Sequence, residues 1–292
     1  MPTNIEWASE TWNPVTGCTK ISAGCRNCYA ERMARRLGGR YGYPEAPNHF
    51  RVTLHPDRLD QPYHWRKPRK VFVCSMSDLF HEDVPKEFIF QVLSTITWNG
   101  PAYLYQTVDD PEGNFWPGHI FQILTKRPER MKEIIEEFRS IIEDFGGVEG
   151  QILEWYQLEY GSILPHLWLG VTAEDQETAD ERIPWLLKTP AAVRFVSVEP
   201  MLSNVSLEGF DGTTYRPWLD YKAWKVLIDW VICGGETGPG AREMKAEWAQ
   251  NLYRACQQAG VPFFFKKPGD AFEDDTADLP LIREYPKGIE RP

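Results

Sequence analysis

The sequence has no apolar stretch approaching the roughly 18 continuous residues that a membrane-spanning helix requires, and no apolar run follows its opening "MPTNIEWASE". A soluble, cytoplasmic protein without membrane contact is therefore expected. Positive charge is in deficit. With 32 Lys and Arg against 42 Asp and Glu, the formal net charge of −10 repels polyanions at long range and argues against a general grip on nucleic acid, although a local basic pocket is still allowed. There is no internal repeat and no low-complexity tract, which leaves a globular fold. Cysteine is sparse and unevenly placed: three of the six fall within "GCTKISAGCRNC", and no second pair exists to complete the two knuckles of an ordinary structural zinc site. In a reducing cytosol such a cluster is read as metal binding or redox chemistry, not as a disulfide framework.

What the sequence does have is a repeating strand and helix pattern. Short apolar, β-branched runs occur at "KVFVCS" (70–75), "IFQILT" (120–125), "LWLGVT" (167–172), "VRFVSV" (193–198), "DWVICGG" (229–235) and "VPFFFK" (261–266), with a first strand within residues 5–14. Between them lie segments of helical spacing. Pro85 stands near the start of one, a second is bounded by Pro128 and Gly146, a third contains Pro184, where a break or kink is expected, and a fourth ends at Gly260. Parallel neighbours need crossover connections, so the alternation predicts an α/β fold. It is a partial or near-complete (β/α) barrel, TIM-like in plan, of about six to seven mostly parallel strands. Residues 1–269 read as one domain with insertions near 99–119 and 203–226, and residues 270–292 as a peripheral tail. Twelve tryptophans serve packing first and base stacking only second.

In barrels of this kind the site forms at the C-terminal ends of the strands. The residues there are Ser75, Ser77 and Asp78, then Lys126 and Arg127, Thr172 and Glu174, Glu199, the Gly234–Gly235–Glu236 element, and Lys266. Any one of these is ordinary loop polarity; jointly they outline a site. Glu199 is the sharpest, because "VSVEPML" sets a carboxylate among apolar neighbours. Cys74, Cys233 and Cys256 read as small buried thiols.

Two metal readings fit Cys18, Cys25 and Cys28. A zinc ion would need a fourth ligand, for which His49 or His55 is the candidate, giving a non-catalytic zinc- or cluster-bearing nucleic-acid-binding module. A [4Fe–4S] cluster on three thiolates instead leaves one iron open. Glycines at 17 and 24 let the chain wrap an inorganic core, and "YAERMARRL" sets a helix N-terminus beside it.

The cysteine trio followed by a helix and repeated βα units resembles the radical S-adenosylmethionine (SAM) enzymes. "NPVTGC", "NCYAE", "SMSDLF", "LTKRP", "GVTAE", "SVEPML", "VICGGETG" and "PFFFK" look more closely like the phage and bacterial three-cysteine-motif proteins, a radical-SAM-like family; the likeness runs from about residue 5 to 268. The resemblance implies a radical-SAM-like fold and enzyme in which Cys18, Cys25 and Cys28 ligate three irons and the fourth binds SAM. It further implies reductive cleavage of SAM to a 5′-deoxyadenosyl radical, with an electron donor such as a flavodoxin or ferredoxin. Within it, Ser75, Ser77 and Asp78 are assigned to the SAM amino group, and Thr172, Glu174 and Glu199 to its ribose or carboxylate. Lys126, Arg127 and Lys266 are assigned to anionic substrate groups. The phage association points to modification or repair of a nucleic-acid-derived substrate. Two departures stand out. The spacing is C-x6-C-x2-C where most radical-SAM proteins have C-x3-C-x2-C, and the Gly-Gly-acid element follows a late strand instead of the second.

Overall fold

The computed structural model describes residues 5–100, 118–144, 164–210, 215–217, 228–272 and 282–286. Seven strands form one sheet: β1 (Glu10–Trp12), β2 (Lys70–Val73), β3 (Ile120–Thr125), β4 (Leu167–Thr172), β5 (Val193–Val198), β6 (Trp230–Cys233) and β7 (Phe263–Phe265). Each pairs in parallel with the next in chain order, so the winding never reverses and the sheet curls into a half-barrel. The described helices are α1 (Tyr29–Leu37), α2 (Lys86–Trp98), α3 (Pro128–Asp144), α4 (Gln176–Lys188) and α5 (Ala246–Ala259). Among the described residues no helix is long and apolar enough to cross a membrane.

Side-chain alternation gives the sheet two apolar faces. Val71, Ile123, Leu169, Val196 and Val231 share a core with Ile89, Leu93, Met131, Ile183 and Leu252 of the helices. Trp168, Phe195, Trp230, Ile232 and Phe264 form a second core on the concave side. Trp7 packs into it at 4.7 Å from the Phe72 ring, and Tyr285 lies 5.7 Å from Trp230. The half-barrel is therefore filled by aromatics toward the N-terminal ends of its strands, and the polar groups collect at the opposite end. Trp7, Trp12, Trp168 and Trp230 are buried packing residues, whereas Trp98 is 45% exposed.

Two expectations are corrected. The break at Pro184 does not occur: α4 runs unbroken through it, opened by a capping box in which the Thr178 backbone N–H donates to Asp175 Oδ1 at 2.9 Å. Burial of Ala179, Ile183 and Leu186 against the sheet offsets the lost hydrogen bond. Nor is the whole tail peripheral. Phe264 bridges Arg283, the Phe265 N–H donates to the Ile282 carbonyl at 2.7 Å, and Tyr285 closes the concave core, so residues 282–286 cover the β7 edge. Of the expected insertions, residues 101–117, 211–214 and 218–226 lie outside the described residues; Glu208–Phe210 and Tyr215–Pro217 pair antiparallel.

Candidate cysteine-lined site

The cysteine loop is stitched to the ends of β1 and β2 before the first thiol appears. Asn13 Oδ1 accepts from Ser75 Oγ at 3.2 Å and from the Met76 N–H at 3.0 Å, and Ser77 Oγ donates to the Val15 carbonyl at 2.8 Å. The Gly17 N–H donates to the Met76 carbonyl at 3.0 Å. Gly17 has φ +84°, and a Cβ there would fall inside the Arg51 carbonyl, so only glycine fits the turn that delivers Cys18. Cys25 ends the short 3-10 turn Ala23–Cys25, where the space a Gly24 side chain would need is filled by Glu174. Cys28 is the N-cap of α1.

All three thiols line one cavity of about 220 Å³ at the C-terminal mouth of the half-barrel. Ser75, Ser77, Asp78, Lys126, Arg127 and Thr172 line it too, as does a fourth thiol, Cys74, whose backbone is left-handed at φ +59°. Glu174, Glu199 and Lys266 do not line the cavity. His55 is taken by Thr16 Oγ1 at 2.8 Å, and neither it nor His49 lines the cavity.

The charged rim is organised in paired sets, although the buried Glu174 Oε2 has no hydrogen-bond partner among the described residues. Asp78 Oδ1 accepts from Thr125 Oγ1 at 2.7 Å and from the Phe80 N–H at 3.0 Å, while Oδ2 accepts from the Lys126 N–H at 3.0 Å and Arg127 at 3.2 Å. Arg127 also donates to Glu82 and to Thr19 Oγ1 at 2.9 Å, and approaches Cys18 Sγ at 3.7 Å. Fully buried Glu174 takes Ser22 Oγ at 2.8 Å, Arg182 at 3.3 Å and the Lys126 ammonium on one oxygen. Glu199 pairs with Lys266 at 2.8 Å, and this attraction raises the lysine pKa. The Gly-Gly-acid element is a strap. Glu236 is held by Arg242 at 2.6 and 2.9 Å and accepts from Asn27 Nδ2, between Cys25 and Cys28, at 3.0 Å; Arg32 of α1 donates to the Thr237 carbonyl at 2.8 Å.

The thiols differ electrostatically. Burial, then the Asp78 carboxylate, pushes Cys18 up to about 12. Burial also opposes ionisation of Cys25, yet hydrogen bonding to Ile21 and the Lys126 charge outweigh it and bring that thiol below its ordinary value. Among the described residues no group of three His, Cys, Asp or Glu side chains gathers to hold a single metal ion, which at Zn–S distances of about 2.3 Å would demand close convergence. The thiols ring a cavity instead of meeting at a point.

A family model described as a protein of unknown function (DUF5131) matches residues 2–110 and 113–284. The chain belongs to this family. No curated protein and no solved structure matches it. The DUF5131 match spans the cysteine loop, all seven strands and Ile282–Glu284 on the β7 edge. Within this DUF5131 chain, sequence reasoning missed Cys74 as a wall of the cavity and Asn27 as the anchor of the strap. Only the left-handed residue after β2 and the distant Glu236 reveal them, and neither leaves a sequence signal.

Proposed function

We propose that the protein is an iron–sulfur enzyme of the radical-SAM type that modifies or repairs a nucleic-acid-derived substrate. The observation that carries this reading is the set of three thiols from one loop facing a single cavity at the C-terminal mouth of a parallel half-barrel, with Lys126 and Arg127 beside them. A [4Fe–4S] cluster and SAM, with an electron from a flavodoxin or ferredoxin, would supply reductive cleavage of SAM and a radical able to abstract hydrogen. In this reading Cys18, Cys25 and Cys28 hold the cluster. Arg127 fixes the loop through Asp78, Glu82 and Thr19 and lends positive charge to Cys18. Lys126, steadied by Glu174, does the same beside Cys25. Ser75, Ser77, Asp78 and Thr172 line the same cavity as the thiols and are the residues we assign to polar groups of SAM, while Glu174 and the Glu199–Lys266 pair extend the polar surface across β4, β5 and β7.

Anaerobic purification with iron and sulfide analysis tests the reading. About four irons and four sulfides per chain are expected, lost on substitution of Cys18, Cys25 or Cys28, together with 5′-deoxyadenosine formation from SAM under dithionite. One zinc and no iron, or a reduced cluster that never cleaves SAM, would overturn it.

A further inference from the structure

In a chain of net charge −10, the cysteine loop and the segment after it run the other way. Arg26, between Cys25 and Cys28, Arg35 and Arg36 in the last turn of α1, and Arg51, whose carbonyl abuts Gly17, are all exposed. No acidic partner is found for these four among the described residues, whereas Lys20 pairs with Glu31 at 2.7 Å. Helix α1 is only about 13 Å long, so Arg35 and Arg36 lie within about two turns of Cys28, and the Cys18 N–H donates to the Phe50 carbonyl at 3.1 Å, which sets Arg51 beside the first thiol. Apolar groups are exposed here as well: Tyr29 at 57%, Ile21 at 46% and Tyr41 at 70%. Tyr29 and Lys20 also line the cavity itself.

We infer that this face binds a single-stranded nucleic acid, its backbone on the four arginines and one base stacked on Tyr29 at the cavity mouth. The inference rests on the proposed function, whose substrate class it narrows. Unpaired cations call for a polyanion, and an exposed ring beside them offers a stacking platform of the kind used by single-strand binders. A single strand presents flexible bases, and chemistry on a base requires it out of the stack. The negative charge of the rest of the chain opposes the wrapping of a long duplex. An acidic electron-carrier protein would answer the charge but gives no role to Tyr29 as cavity wall.

Anisotropy titrations of the anaerobically purified full chain with a labelled single-stranded 12-mer and its duplex test the inference. The single strand should bind more tightly, with log K falling against log salt at a slope of about −3 for four phosphate contacts. Arg26→Gln/Arg35→Gln/Arg36→Gln/Arg51→Gln should weaken binding at least about tenfold and flatten that slope. Tyr29→Ala should cost about tenfold and leave the slope in place. Circular-dichroism melting confirms folding, and Arg35→Gln/Arg36→Gln alone carries the test if the fourfold variant is unstable. Wild-type binding by these variants overturns the inference, as does a duplex bound equally well. So does a variant that keeps oligonucleotide binding but is reduced more slowly by a flavodoxin-type carrier while dithionite reduction is unchanged, because the face then serves an acidic protein. Failure of the iron–sulfur reading is distinct: it appears as missing iron with oligonucleotide binding intact.

Discussion

Replacing Glu236 by glutamine tests whether the strap after β6 holds the cysteine loop. Burial works against its charge, but hydrogen bonds from Arg242 and Asn27 dominate and bring its pKa from 4.5 down to about 2. That difference corresponds to about 3 kcal/mol of folding stability. Solvent reaches Arg242, whose side chain is 28% exposed, so about 2 kcal/mol is the working magnitude. Because the folded pKa is depressed, the unfolded chain takes up the proton first. The contribution is therefore complete above about pH 4.5 and is lost as the pH falls toward 2. Urea titrations followed by tryptophan fluorescence should find Glu236→Gln weaker than wild type at pH 7, with about half of the difference gone near pH 3. Under the proposed iron–sulfur reading the variant should also hold iron less firmly, since Asn27 would keep the Gly240 carbonyl at 2.7 Å but lose its carboxylate acceptor. A stability difference that stays constant from pH 7 to pH 3, or none at pH 7, refutes the argument.

Gly17→Ala should lower the melting temperature by about 5 °C or more, because it adds a left-handed penalty of about 1–2 kcal/mol to a collision with the Arg51 carbonyl. Gly260→Ala, with φ +71° and open space around it, should lose clearly less; equal losses would show that the collision is relieved. His166 is buried, its Nε2 donating to the Ile96 carbonyl at 2.9 Å, and burial brings its pKa to about 4. It folds neutral, so its contribution is whole above pH 6.5 and about 3 kcal/mol is lost between pH 6.5 and 4. His166→Gln should flatten the denaturation profile in that window, and an unchanged profile would sink the assignment.

The fold was legible because its strands are buried on both faces and so read as unbroken apolar runs. β4, "LWLGVT", is buried at every position, and each expected run contains a strand of the sheet. What was not legible depends on tertiary cost and gain. Pro184 signals a break only locally, and the burial of α4 overrides it. "IREY" (282–285) looks like tail until Phe264 and Trp230 supply partners.

The candidate site was legible as chemistry and not as wiring. Cysteine spacing marks the thiols directly, whereas a charged residue after a strand carries no sign of what it faces. Glu199 and Lys266, 67 residues apart, satisfy each other. Lys126 is matched to Glu174, and Arg127 to Asp78 and Glu82. The three cations assigned to anionic substrates at the strand ends therefore each face a carboxylate, and a polyanion arriving there would have to displace one. Arg26, Arg35, Arg36 and Arg51 face no such competition among the described residues. Exposed charge without a partner retains its reach for an incoming phosphate, so the inferred strand would meet less electrostatic competition at these four arginines than at the barrel rim.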